Sequence, residues 1–396
     1  MDKALNYSKK EVLFFISYFL LGFANVVAIN SYLFGENSAE VYVYVLYISA
    51  IFAALSFCFE NYKTKEIALI IIVIAIGFLI TAHLHLISFG VTVLLIVTAL
   101  NIDAKKIIKI SVLNNIFFMA IVVLPALIGI IPNEIYDHNG VNAYCFGFQY
   151  YSSLPNLVFS ITIFTYLLAD TKIKRRIVLL FSLPIQLIVY KYCTVRLILY
   201  LYFIFLVLAV IAEFYDIRKE HKIISKISTI MYPVMSIMTF IISFIYSRSN
   251  ILIKINEILN YRFGFNELGF SRYGITILGN KIITDAGTID ANNINHYFYI
   301  DSGYVYALLS YGIIFFVLIM VMYSILSKNA AKNNQSRLLI ICAIICIYSV
   351  INNLIFDITL NPLPLLAFQV IMNNRQAQRG LEENKNNFYM TKFIFK

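Results

Sequence analysis

Charge is scarce in this chain. Of its 396 residues only 13% are Asp, Glu, Lys or Arg, while 61% are apolar and the mean hydropathy is +0.80. This excludes a soluble domain of any size and predicts a polytopic membrane protein. No glycine-rich phosphate loop or paired ATPase signature occurs, so a process driven by bound ATP is excluded and only a gradient or an activated substrate remains as a source of energy. The five cysteines fall mostly inside apolar runs without CxxC spacing, which predicts neither a disulfide framework nor a metal site. His83 and His85 lie on opposite faces of a helix without partner ligands, so no metal and no cofactor is expected. Tryptophan is absent altogether, and with the wealth of Ile, Asn, Lys, Tyr and Phe this fits a low-GC bacterial coding bias. The first apolar run is too long for a cleavable signal and lacks a small-residue cleavage site.

What the chain does have is long apolar segments. Twelve are read: 11–34, 41–59, 66–85, 86–100, 107–131, 151–169, 177–191, 197–212, 227–247, 301–327, 338–356 and 360–372. Each approaches the ~20 residues that cross ~30 Å of hydrocarbon. The fold class expected is therefore all-α, a single integral membrane domain over 1–396 with about 12 transmembrane helices. Within it a large extracytoplasmic loop spans 249–300, and a tail covers 373–396. Of the 31 lysines and arginines, 24 lie before the first segment, in alternate connections, or in the tail. Basic residues stay on the cytoplasmic side, so both termini are expected there, in a bacterial cytoplasmic membrane. The net charge of +10 is thus a matter of topology and attraction to membrane lipids, with no nucleic-acid footprint.

The other seven basic residues break that pattern. Four of them, Lys254, Arg262, Arg272 and Lys281, lie in the large loop, and Arg196 opens the eighth segment with Lys191 shortly before it. A cation on the outer side has no topological role, which marks Arg196, Arg262 and Arg272 as candidates for gripping an anionic substrate. A planar guanidinium holds two phosphate oxygens and stays charged at any pH. The alternative for each is contact with lipid head groups. The loop opens with apolar residues at 251, 252, 255, 258 and 259, the spacing of an amphipathic helix lying along the interface. Gly264, Gly269, Gly274 and Gly279 recur every five residues, predicting a turn-rich loop whose backbone approaches a ligand closely. Asp301 and His296 stand where the loop returns to the membrane. Asp301 suits a general base acting on a sugar hydroxyl, or simply a helix N-cap. Tyr297 and Tyr304 are candidate sugar contacts, although tyrosines belt any membrane protein.

Four stretches together resemble the Wzy-type oligosaccharide repeat-unit polymerases of Gram-positive capsule and exopolysaccharide synthesis. They are PheGlyPheGlnTyrTyrSerSerLeuProAsn at 146–156, ThrValArg at 194–196, AsnTyrArgPhe at 260–263 with the glycine loop and LeuGlyAsnLysIle at 278–282, and TyrPheTyrIleAspSerGlyTyrValTyrAlaLeuLeuSerTyrGly at 297–312. The resemblance implies a GT-C-like ligase or polymerase architecture. It also implies an inverting, metal-free transfer at the outer face of the membrane. The growing chain on undecaprenyl diphosphate would pass to the next undecaprenyl-diphosphate-linked oligosaccharide, with a flippase and a chain-length regulator as partners. Related ligases carry a loop arginine, matched by Arg262, and a histidine at the loop's return, where this chain has Asp301. The family's basic residue before the first GlyPhe is missing: no Lys or Arg occurs between Asn133 and Thr171. Two other classes compete. A lipid-linked oligosaccharide flippase predicts charged spans and duplicated halves, which are not seen; a glycan ligase is not separable on sequence.

Overall fold

The computed structural model describes residues 7–60, 62, 64–138, 140–214, 221–284 and 298–383. His296 and Tyr297 lie outside the described residues, as does most of the predicted tail. The chain is mostly helical. Among the described residues eight helices are long and apolar enough to cross a membrane, and four more apolar helices are shorter, Ile87–Thr98, Ser153–Leu168, Ser336–Ile351 and Leu363–Asn373. Each of the twelve apolar segments read from the sequence falls on one of these. The description that follows from length and composition is an all-α polytopic membrane protein.

The described chain divides into two compact units. The first holds α1 (Lys9–Gly22), α2 (Ser38–Cys58), α3 (Thr64–Leu84, except its last turn), α4 (Ile87–Thr98), α5 (Ala104–Leu127), α6 (Ser153–Leu168), α7 (Lys172–Cys193) and α8 (Arg196–Phe214). The start of α1 is set by a capping box, in which Ser8 and Glu11 satisfy each other's amides. Asp103 caps α5 by accepting from the amides of Lys105 and Lys106. Between apolar helices the specific contacts are small and polar. The Ser17 and Ser49 hydroxyls each donate to the other residue's carbonyl at 2.8 Å, joining α1 to α2. The connection before α6 carries a hairpin, β1 (Ile135–His138) with β2 (Val141–Tyr144), pairing Ile135 with Tyr144 and Asp137 with Asn142. This first unit is completed by residues from Ile358 onward. There Tyr18, Asn115 and Ser160 donate to the carbonyls of Ile358, Thr359 and Leu360 in turn, which satisfies a buried irregular stretch ahead of the last helix.

The second unit contains α9 (His221–Ile245), α10 (Asn250–Ile258), α11 (Arg262–Tyr273), α12 (Gly303–Lys332) and α13 (Ser336–Ile351). Buried tyrosines tie it together. Tyr232, Tyr304 and Tyr323 donate to the carbonyls of Cys342, Cys346 and Ile355. α12 is not one continuous helix: Gly312 has φ 80° and ψ 169°, far from helical values. The loop after α11 fills the break. The Ile313 amide donates to the Thr276 carbonyl at 3.0 Å and the Asn280 amide to the Leu309 carbonyl at 2.8 Å. At Gly279 a Cβ would stand 2.0 Å from the Ser310 oxygen, and at Gly312 a Cβ would stand 2.3 Å from the Ile277 oxygen. Two glycines are therefore needed because two backbones cross in contact. The stretch 313–332 alone, at about 1.5 Å per residue, is ~30 Å long and sufficient to span. Residues before Gly312 form a separate helical piece.

Candidate functional site

Arg262 is placed by the turn between α10 and α11. Asn260 and Tyr261 take left-handed conformations, with φ 55° and 61°. Asn256, buried at 4% exposure, accepts the Phe263 amide on its side-chain oxygen at 2.9 Å, a cap that Tyr261 does not supply. Arg262 thus becomes the first residue of α11, where the helix dipole is already positive. A cation there is disfavoured by a few tenths of a kcal/mol or more. Something negative is called for. Asp301 supplies it, with one carboxylate oxygen 2.9 Å from the Arg262 Nε. The guanidinium Nη1 donates to the Leu259 carbonyl at 3.1 Å.

The two residues read as separate candidates, phosphate holder and base, are therefore in contact. The contact is a loose one. Its closest approach is 2.9 Å, yet the Nε–H finds no aligned acceptor among the described residues. The Arg262 side chain is 16% exposed and that of Asp301 32%, so the carboxyl is enclosed by protein yet reachable from outside. Burial pushes the Asp301 carboxyl above the ordinary carboxylate range, and Arg262 offsets part of that rise. The cap reading of Asp301 fails: Ser302 is the N-cap of α12, and Asp301 spends its carboxylate on Arg262. Asp301 lies two residues before the first residue of α12.

Sequence reasoning missed the support behind Asp301. Tyr348, on α13, reaches the segment that carries Asp301 through Asn352. Its hydroxyl accepts from the Asn352 side chain at 3.1 Å. The Asn352 carbonyl in turn accepts the Gly303 amide, fixing the segment that carries Asp301. The available signal was a cluster of polar residues, Asn352, Asn353 and Asp357, inside an apolar run.

Other candidates fare differently. Arg272 occupies the last turn of α11, where a cation suits the dipole, and its guanidinium lies 4.6 Å above the Phe298 ring. Ten residues of helix, ~15 Å, separate its backbone from that of Arg262, and each is held by its own partner, so the two do not form one fork. Tyr304 is not a sugar contact. It is 0% exposed and bonds Cys346, which is the role of a core residue. Arg196 belongs to the first unit. It is exposed at the start of α8, just after left-handed Thr194, and makes no ion pair among the described residues. The glycines expected to form one loop divide: Gly264 and Gly269 lie inside α11, Gly274 ends it, and Gly279 meets α12 rather than a ligand.

The amphipathic helix expected at the loop's start is α10. Asn256 faces the protein, while Ile251 and Ile258 are 72% and 62% exposed alongside the exposed Lys254 and Glu257, an amphipathic surface. Ile275, Ile277 and Ile283 of the neighbouring loop are exposed as well. Such apolar surface is stable only against lipid or another apolar partner. Comparison of the chain with family models, curated proteins and solved structures finds no match.

Proposed function

We propose that the chain is a glycosyltransferase that joins undecaprenyl-diphosphate-linked oligosaccharide repeat units at the outer face of a bacterial cytoplasmic membrane. The observation that supports this reading is the Arg262–Asp301 pair following α10, an amphipathic helix with exposed isoleucines. A phosphate-binding cation and an accessible carboxylate share one site, next to a surface suited to lipid. In the reaction, Asp301 accepts the proton of an acceptor sugar hydroxyl as that oxygen bonds to the anomeric carbon of the donor. The bond from that carbon to the diphosphate oxygen breaks, the electron pair leaves on the diphosphate, and Arg262 holds the charge. Attack from the opposite face inverts the carbon. The twelve apolar helices are all read as spans, with both termini cytoplasmic and 249–300 outside.

Deletion of the gene followed by gel analysis of lipid-linked glycans tests the function. Single repeat units on lipid are expected. Full-length unattached chains would point to a ligase, and an unaltered ladder would end the glycosyltransferase reading. Topology is tested by cysteine labelling in a Cys58→Ala background, because Cys58 is the exposed native cysteine. Ser271→Cys on α11 should react with an impermeant reagent from outside and Lys332→Cys should not; both positions are exposed. The reverse pattern contradicts the orientation.

A further inference from the structure

The contact between Arg262 and Asp301 conflicts with the transfer they are proposed to perform, and the conflict is informative. In an inverting transfer the base and the group that holds the leaving diphosphate stand on opposite faces of one sugar ring. In inverting glycoside hydrolysis the two carboxylates that flank the sugar and its attacking water stand ~6.5–9.5 Å apart, and an acceptor hydroxyl needs comparable room. Here the two side chains are 2.9 Å apart with nothing between them. The observed arrangement is a closed one, and substrate must part the pair.

We infer that the Arg262–Asp301 pair is an exchange latch, in which the donor's diphosphate takes Asp301's place on Arg262 and thereby releases Asp301 to act on the acceptor. The inference rests on the glycosyltransferase reading and adds the order of events to it. Three features of the geometry favour exchange. The carboxylate approaches the guanidinium at 2.9 Å but leaves the Nε–H unaligned, whereas a phosphate can take two donors at once. The guanidinium is anchored at Nη1 to the Leu259 carbonyl, so it need not travel when its partner changes. It also sits at the positive end of α11, where a multiply charged diphosphate gains more than a single carboxylate does. Once displaced, Asp301 keeps the burial that strengthens it as a base and loses the cation that weakens it. The base thus becomes effective only with donor in place, which guards against wasted hydrolysis. After transfer, once Asp301 has passed the proton it accepted to the leaving diphosphate or to water, its carboxylate competes for Arg262 again and helps expel the diphosphate product.

The test is binding of undecaprenyl diphosphate, in detergent, to wild-type protein and to Asp301→Asn. Removing the competitor should tighten binding by about tenfold, the scale of a partly buried charge pair. Arg262→Gln should abolish binding. If Asp301 merely orients Arg262, Asp301→Asn would bind no better than wild type or worse, and the latch is overturned. A second measurement needs no variant and covers the case in which Asp301→Asn does not fold. Wild-type protein is treated with a water-soluble carbodiimide and an amine, and modification of Asp301 is read by peptide mass spectrometry. Added diphosphate should increase modification of Asp301 several-fold by freeing its carboxylate; unchanged or reduced modification rejects the latch. If wild type is active and binds the lipid but shows neither effect, the latch alone fails. If wild type binds no diphosphate and the deletion strain still makes polymer, the underlying reading fails with it.

Discussion

Ion pairs occur in both units, and their construction differs. In the first unit Arg175 holds Glu213 through two nitrogens, Nε and Nη2, and donates its remaining edge to the carbonyls of Ala169 and Asp170. Lys10, 5% exposed, bonds both Glu60 and the Leu100 carbonyl and lies over the Tyr62 ring. These cations belong to the majority that follows the alternating charge pattern of the sequence, and almost every donor is used. They are staples. Arg262 in the second unit lies in the loop that the charge bias assigns to the other side, and its Nε–H is left unaligned beside Asp301. A buried pair repays its desolvation only when its other hydrogen bonds are made. A poorly satisfied pair is stable enough to persist and weak enough to be exchanged, which is what a binding site requires.

The comparison can be broken at either end. The largest expected effect is that of Asp301→Asn, which keeps shape and removes the base: turnover with lipid-linked repeat units should fall about 10²–10⁴-fold. Because Asp301 does not cap α12, this loss should come without the stability cost of a lost cap, and a thermal melt in detergent checks that point. The acidic limb of the wild-type rate profile belongs to the same group. Raised above the usual ~3.9 of an aspartate, it should lie on the high side of that value and vanish in the asparagine variant. Arg262→Lys comes next, since it keeps the charge but loses the planar fork; initial rates should drop by about 10²-fold. Arg175→Gln is the counterpart in the first unit. It leaves Glu213 buried and uncompensated, so it should cost about 3–5 kcal/mol of stability, with the activity of each surviving folded molecule unchanged. An intact melt for Arg175→Gln would remove the distinction between staple and site. The smallest effect is expected for Arg272→Ala, where the loss of a cation–π contact is worth about 1 kcal/mol and a few-fold in rate.

The sequence was most legible where one physical rule acts alone. Runs of apolar residues must be helical in a membrane, and each of the twelve is a helix. The 251, 252, 255, 258, 259 spacing located α10 for the same reason. Arg262 and Asp301 could each be singled out, one by charge on the unexpected side and one by position. Their pairing could not, because nothing local joins residues so far apart in the chain. Long-range backbone contact hid the rest. The break in α12 at Gly312 exists because the loop at Gly279 crosses it, and either glycine read alone suggests only a turn. Tyr304 misled for a related reason. A tyrosine near an interface resembles a sugar platform, yet its hydroxyl was claimed by a carbonyl on another helix.

The most direct measurement of the central claim is reconstitution. Purified protein in vesicles is given lipid-linked single repeat units, and the products are resolved by length for wild type, Arg262→Lys and Asp301→Asn. A ladder of polymers from wild type, with both variants stalled at single units, is the predicted result. A ladder of equal rate and length from all three, at equal protein, would contradict it.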